Sequence, residues 1–134
     1  VQATHCTSDM PWAEERLGAQ RIKTAYAYKT LLAQNGWIIN GTDFPIEHIS
    51  PIKTFYASVA RKYLTNNKLT REEALKSITI WPAKGYFAEN RKGSIEKGKE
   101  ADFVILSDDI MTISDEKIPN VKIINTFING ELVY

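Results

Sequence analysis

The chain has 134 residues, of which 43% are hydrophobic and 25% charged, with 17 basic against 16 acidic side chains. This profile is typical of one soluble globular domain that is long enough to bury a core. A net charge of +1 gives no long-range field and excludes nucleic acid and anionic membranes as expected partners.

The first part of the chain is predicted to form a strand, a helix and a second strand. Val1–His5 predicts a short strand that ends in polar residues. A helix is predicted over Arg21–Asn35, and Gly36 ends it because a left-handed residue is cheapest there. Trp37–Ile39 is apolar on both faces, which is typical of a buried parallel strand. The order strand, helix, strand indicates an α/β unit.

Further helices are predicted after the second strand. Ser50 is a cap residue followed by proline, and the apolar residues after it repeat with a helical period as far as Tyr63. The motif Thr70–Glu73 is a capping box that opens another helix. Pro82 is expected to start a short one after that. The region between the second strand and residue 90 is therefore predicted to be helical.

The last part of the chain is predicted to form strands rather than helices, because glycines separate runs of β-branched residues. Strands are predicted at Ala101–Leu106, Val121–Ile128 and Leu132–Tyr134. Asn129-Gly130 lies between the last two and is the most favourable two-residue hairpin turn. A small antiparallel module is predicted here.

Asp43 is the leading candidate for chemistry. It lies in Gly41–Pro45, just past the end of the predicted buried strand. That end of a parallel strand is where α/β folds and barrels build active sites. A carboxylate there could bind a divalent metal or take a proton from metal-bound water. The alternative is that Asp43 caps its own turn through neighbouring N–H groups.

His5 and Asp9 are four residues apart, at the end of the first predicted strand and in the loop after it. Both reach the cavity of Asp43 if the two strands are neighbours. A lone histidine is more often structural, and Asp9 is also a good helix cap. Both interpretations stay open at this point.

Two other pairs of residues invite a chemical interpretation. Glu47 and His48 follow Asp43 closely, but their spacing fits no helical metal motif, and we expect loop residues that contact substrate. Cys6 is adjacent to His5 and raises the possibility of a thiol hydrolase. Neighbours on a strand point to opposite faces, which disfavours a nucleophile–base pair.

Several short segments together resemble a known family. They are Gln2–His5, Ser8–Met10, Arg16–Gly18, Arg21–Ala27, Gly41–Pro45, Pro51–Phe55, Leu69–Leu75 and Gly93–Val104. In order and spacing they resemble the C-terminal third of the amidohydrolase superfamily, in the branch of N-substituted formamide deformylase-like enzymes. Ala3 departs from the family's usual proline, and we expect this to change backbone stiffness rather than chemistry.

The resemblance implies an α/β fold in two pieces. Residues 1–90 would be the C-terminal piece of a (β/α)8 TIM barrel, its last two strand–helix units. Residues 91–134 would be a segment of a small antiparallel β-sandwich. Val1–His5 would then be the seventh barrel strand and Trp37–Asn40 the eighth.

The resemblance also implies a chemistry: metal-activated water, with zinc as the expected divalent ion, hydrolyses a non-peptide, amide-type carbon–nitrogen bond of a small molecule. Asp43 would contact the metal and act as general acid/base. His5 and Asp9 match positions at the mouth of the active site that contact substrate or shape the loop. His48, from its place in the loop after Asp43, is the third expected substrate contact. The family's His-x-His pair and further metal ligands do not occur in this sequence, so we expect a fragment that is inactive alone. The alternative is a non-catalytic α+β binding or assembly module.

Three expectations concern the chain as part of a longer protein. It begins at Val1 without methionine, which predicts a part of a larger protein. The expected location of that larger protein is cytoplasmic. Cut barrel strands expose unpaired N–H and C=O groups. We therefore predict self-association into homo-oligomers, by strand addition or by exchange of the β tail.

Overall fold

The computed structural model describes all 134 residues as a helical part followed by a small sheet. The helices are α1 Ala3–Ser8, α2 Ala13–Arg21, α3 Tyr28–Asn35, α4 Pro51–Ala60, α5 Arg71–Ile78 and α6 Ile80–Gly85, and 3-10 turns span Ile22–Thr24, Thr65–Asn67 and Asp115–Asn120. Strands β1 Phe103–Leu106, β2 Ile123–Ile128 and β3 Glu131–Leu132 form one antiparallel sheet in the order β1-β2-β3. Even the longest helix, α4, lacks the length and apolarity that a membrane crossing requires.

The predicted helix starts at Ser50 and Thr70 are confirmed. The Ser50 hydroxyl accepts the Lys53 N–H at 3.4 Å, with proline at the first helical position of α4. At α5 the Thr70 hydroxyl accepts the Glu73 N–H at 3.2 Å, and the Glu73 carboxylate accepts the Thr70 N–H at 2.7 Å. Helix α4 ends at Ala60, earlier than predicted, because the next residue, with ψ 138°, leaves the helical conformation.

Removing the Thr70 hydroxyl should weaken α5 measurably. Thr70→Ala is expected to lower the free energy of unfolding by about 1 kcal/mol, the usual cost of losing a cap. Thr70→Ser is the matched control and should stay near wild type because it keeps the hydroxyl. Urea denaturation of the three proteins measures the difference. Equal losses in the alanine and serine variants would contradict the capping role.

The predicted strand at Val1–His5 is wrong. Only its first two residues stay outside the helix, and Ala3–Ser8 forms α1, whose Ala3 N–H donates to Asn40 Oδ1 at 3.0 Å. Ala3 and Cys6 are both fully buried, in a helix that packs against α4. Residues three apart share one face of a helix but take opposite faces of a strand. Burial of both against α4 therefore favours the helix.

The predicted single helix over Arg21–Asn35 is also wrong. It divides into the end of α2, the 3-10 turn Ile22–Thr24 and helix α3. Tyr26 separates the last two with a left-handed backbone, φ 51°. Its carbonyl accepts the Tyr28 N–H at 2.9 Å, so the chain turns where helical periodicity predicted continuity. Gly36 ends α3 at φ 75°, as predicted.

Trp37–Asn40 forms no regular strand, which corrects the predicted buried parallel strand at Trp37–Ile39. It nevertheless lies beside the start of the chain. The Val1 amino group donates to Ile39 O at 2.6 Å, and the Gly41 N–H donates to Val1 O at 3.0 Å. Val1 thus donates to one residue of the neighbouring segment and accepts from the residue two positions further along, as in a pair of parallel strands. The segments that precede His5 and Asp43 are therefore adjacent and run in the same direction.

The β tail matches its prediction in strand order and in the hairpin turn, but β1 and β2 start two residues later than predicted and β3 covers Glu131–Leu132 instead of Leu132–Tyr134. Strands β2 and β3 are joined by Asn129 and Gly130, whose φ angles of 53° and 82° are both positive, as a type I′ turn requires. Phe103 and Phe127 stack across β1 and β2 with ring centroids 4.6 Å apart. The 3-10 turn at Asp115–Asn120 was not predicted, and it packs against α4. The start of α6 also differs, since Pro82 is its third residue.

Candidate functional site

Asp43 lies in the loop after Trp37–Asn40, and its carboxylate makes none of the hydrogen bonds that close this turn. Asp43 has a left-handed backbone, φ 58°. Its carbonyl accepts the N–H groups of Ile46 at 2.8 Å and Glu47 at 3.3 Å. The Thr42 hydroxyl accepts the Phe44 N–H at 3.3 Å. The turn is thus closed by a carbonyl and a hydroxyl, and the alternative that the Asp43 side chain serves as its cap does not hold.

His5 and Asp43 are brought together. His5 Nε2 lies 3.3 Å from Asp43 Oδ2, and the two side chains are 29% and 43% exposed. The same nitrogen is shielded from solvent and makes no aligned hydrogen bond, so the contact is close but its angles are poor. Helix α1 carries the histidine and the loop after Trp37–Asn40 carries the carboxylate. The structure therefore pairs an imidazole with a carboxylate at the ends of two adjacent parallel segments.

Asp9 follows His5 by four residues in the chain and is held by a tyrosine. The Tyr26 hydroxyl donates to Asp9 Oδ2 at 2.6 Å, while the Asp9 carbonyl accepts the N–H groups of Trp12 and Ala13. The carboxylate is therefore not the cap of α2. Burial, and then the Asp9 carboxylate, raise the pKa of Tyr26 above its usual range. The phenol stays protonated and acts as a donor.

His48 does not join the site. Its ring is exposed, and its Nδ1 accepts the Ser50 N–H at 3.1 Å, at the start of α4. Glu47 turns the other way and accepts a hydrogen bond from the Ser8 hydroxyl. Over the whole chain, no three His, Cys, Asp or Glu side chains are close enough to hold a metal ion. Because His48 does not share a location with His5 and Asp43, the structure gives no support to the hypothesis that His48 contacts substrate.

Cys6 is not an activated thiol. It is fully buried, and burial raises the pKa of its thiol, although the neighbouring Arg61 guanidinium acts in the opposite direction. Reactive cysteines have lowered pKa values and some exposure. The thiol hydrolase alternative therefore has no structural basis.

The donors present do not fit a complete metal site. His5 Nε2 and the Asp43 carboxylate are the two converging groups of metal-binding type. A catalytic zinc ion takes three protein ligands and one water. This chain can contribute to such a site, but its own residues cannot complete one.

A cavity of about 320 Å³ opens beside His5. Its wall includes Gln2, Tyr26, Tyr28 and Leu31, and five of its eight lining residues are hydrophobic. This volume lies at the lower end of the range for small-molecule sites. The space next to His5 is therefore of a suitable size for a small, largely apolar group.

Comparisons with known proteins agree along the chain. The family model named Amidohydrolase family matches residues 1–134. The protein YtcJ of Bacillus subtilis (strain 168) is 35% identical over 143 residues, which is 100% of this chain and 27% of YtcJ. N-substituted formamide deformylase of Arthrobacter pascens is 29% identical over 99 residues, which is 69% of this chain and 18% of the deformylase.

A solved structure gives the same result. An uncharacterized metal-dependent hydrolase from Pyrococcus furiosus superposes with a TM-score of 0.67 at 34% identity, over 75% of this chain and 21% of that protein. The chain thus spans between 18% and 27% of the length of these three proteins.

Proposed function

Because this chain belongs to the amidohydrolase family, we propose that it is the C-terminal part of a metal-dependent hydrolase of non-peptide carbon–nitrogen bonds. The observation that carries the proposal is the approach of His5 Nε2 to within 3.3 Å of Asp43 Oδ2. The deformylase and the metal-dependent hydrolase among its relatives support this reaction class. The substrate is a small molecule with an amide-type bond.

Asp43 acts as the general acid/base in this proposal. Its carboxylate takes a proton from the water that attacks the amide carbon, and delivers it to the nitrogen as the carbon–nitrogen bond breaks. Two features support the role. The carboxylate makes no hydrogen bond within its own turn, and it is exposed enough to contact substrate. His5 lies beside it, and His5, Asp9 and His48 are the proposed substrate contacts.

The longer protein is proposed to bind a divalent metal, zinc, with Asp43 as one ligand. When bound, such an ion would supply polarisation of the amide carbonyl and would lower the pKa of the attacking water to about 7. The remaining ligands must come from outside these 134 residues, since His5 and Asp43 are too few. The isolated chain is therefore proposed to be inactive.

The barrel origin of residues 1–90 is also a proposal. The hydrogen bonds between Val1 and Ile39–Gly41 support it, because neighbouring parallel strands make hydrogen bonds of the same kind. Val1–Gln2 and Trp37–Asn40 would be the ends of the seventh and eighth strands. Residues 91–134 would belong to the sandwich, in keeping with their antiparallel sheet.

The proposed activity is tested with the full-length protein. We expect it to release amine from N-formyl or N-acetyl amines, to stop when a chelator removes the metal, and to recover when zinc is added. A dipeptide is the control substrate and should be left intact. A metal-loaded protein that hydrolyses none of these amides would overturn the proposal and favour the binding or assembly module.

The isolated chain is proposed to self-associate through its sheet. Strand β1 is an edge strand, and its Val104 and Ile105 are 50% and 45% exposed. An exposed apolar edge pairs readily with another chain. Light scattering over a tenfold range of concentration should show oligomers, and Val104→Lys should reduce them. A monomer at every concentration would count against the proposal.

A further inference from the structure

Arg61 is a buried cation without an acidic partner. Its side chain is the largest of those that are fully buried, at 1% exposure. None of the ion pairs of the chain includes it, and its Nε has no hydrogen-bond partner. Burying an unpaired charge is costly, and apolar side chains of similar volume often give equal or greater stability. Stability alone is therefore a poor explanation for an arginine at this position.

The guanidinium is directed at the turn before α3. Its Nη1 and Nη2 donate to Tyr26 O at 3.4 and 3.3 Å, and its Cζ lies 5.1 Å from the centroid of the Tyr28 ring. The Cys6 thiol of α1 is next to the same group. Arg61 thus follows the last residue of α4 and contacts both α1 and the turn at Tyr26.

Tyr26 carries the connection to the candidate site. Its backbone is left-handed, φ 51°. Residues other than glycine rarely adopt this conformation without support from their surroundings. In this conformation the Tyr26 carbonyl meets Arg61, while its hydroxyl donates to Asp9 Oδ2 at 2.6 Å. The Asp9 N–H in turn donates to His5 O at 2.8 Å. A continuous series of contacts therefore leads from Arg61 to the helix turn that carries His5.

We propose that Arg61 and Tyr26 are positioning residues of the site. Arg61 holds the left-handed turn at Tyr26, and the Tyr26 hydroxyl fixes the Asp9 carboxylate and with it the end of α1 that presents His5 to Asp43. Neither residue touches the reacting atoms. This inference rests on the proposed function, because it concerns the same His5–Asp43 pair.

The hydroxyl of Tyr26 is tested in the full-length protein with Tyr26→Phe. We expect kcat to fall about 10- to 100-fold, the range for partners that orient an active-site group, with KM within about twofold of wild type. Tyr63→Phe is the matched control, because the Tyr63 hydroxyl is buried without a partner and its loss should leave kcat unchanged. Equal kcat values for the two variants would overturn the inference.

Asp9→Ala tests the same hydrogen bond from the other side, because alanine has no side-chain oxygen to accept the Tyr26 hydroxyl. If Tyr26 acts through Asp9, the double variant Tyr26→Phe/Asp9→Ala should be no slower than the slower single variant, because the two substitutions remove the same hydrogen bond. Fully additive losses would overturn the inference. Thermal unfolding of each variant separates these effects on rate from a loss of folded protein.

Asp43→Asn in the same assay distinguishes this inference from the proposed function. If Asp43→Asn keeps full turnover, the acid/base role fails, and the positioning of that site fails with it. If Asp43→Asn abolishes turnover while Tyr26→Phe matches wild type, only the positioning role fails.

Discussion

Asp43→Asn should lower kcat of the full-length hydrolase by about 10²- to 10⁴-fold, the usual contribution of a positioned general acid/base. Asparagine has nearly the same shape as aspartate but cannot take a proton. It also tolerates the left-handed backbone that Asp43 adopts, so the loop should keep its conformation. The rate of amine release at saturating substrate measures the effect.

The matched control for this variant is Asp108→Asn. Asp108 is exposed in the tail and accepts a hydrogen bond from Ser107, with no contact to the His5–Asp43 pair. Its substitution should leave kcat within about twofold of wild type, as expected for a surface change. If Asp43→Asn is as active as Asp108→Asn, Asp43 does not transfer the proton.

Phe55→Ala should produce the largest loss of stability. Phe55 is fully buried on α4, in a cluster of 14 buried residues that also includes Ala74 and Ile118. Truncation of a buried phenylalanine to alanine removes apolar contact and leaves a cavity, at a cost of about 3–5 kcal/mol. That is a large part of the roughly 5–15 kcal/mol by which domains are stable.

Phe87→Ala provides the matched comparison. Phe87 is 93% exposed, so the same truncation should change the free energy of unfolding by no more than about 0.5 kcal/mol. Urea denaturation of the 134-residue chain gives both values from the midpoint and slope. Similar losses for Phe55→Ala and Phe87→Ala would show that the cluster around α4 is not the stabilising core.

The elements that the sequence predicted well depend on neighbouring residues. The starts of α4 and α5 follow from Ser50 and from Thr70 with Glu73, whose hydrogen bonds close within three positions. The last hairpin follows from Asn129-Gly130, which supplies two positive φ angles. In each case the residues that carry the signal are also the residues that make the contact.

The elements that it predicted wrongly depend on distant parts of the chain. Ala3–Ser8 is helical because its buried face packs against α4 and Asn40 accepts its first N–H. The predicted helix over Arg21–Asn35 breaks at Tyr26, whose carbonyl accepts from Arg61, 35 residues away. No local pattern contains these contacts.

Some residues of the candidate site could also be predicted from the sequence, and others could not. Asp43 could be predicted as a candidate because it lies in the turn just past an apolar run, and its approach to His5 was expected if the two segments were neighbours, as they are. Tyr26 and Arg61 could not, because one resembles a core aromatic and the other a surface charge in sequence. Only their contacts give them a role: a hydroxyl on Asp9 and a buried guanidinium on a carbonyl.

The central claim is that this chain supplies Asp43 to a metal site that other parts of a longer protein complete. Calorimetric titration of zinc into the isolated 134-residue chain, into the full-length protein and into their Asp43→Asn variants tests it most directly. We predict tight binding by the full-length protein, weakened in its Asp43→Asn variant, and no tight binding by the isolated chain. Tight binding of one zinc per isolated chain, lost in Asp43→Asn, would contradict the claim.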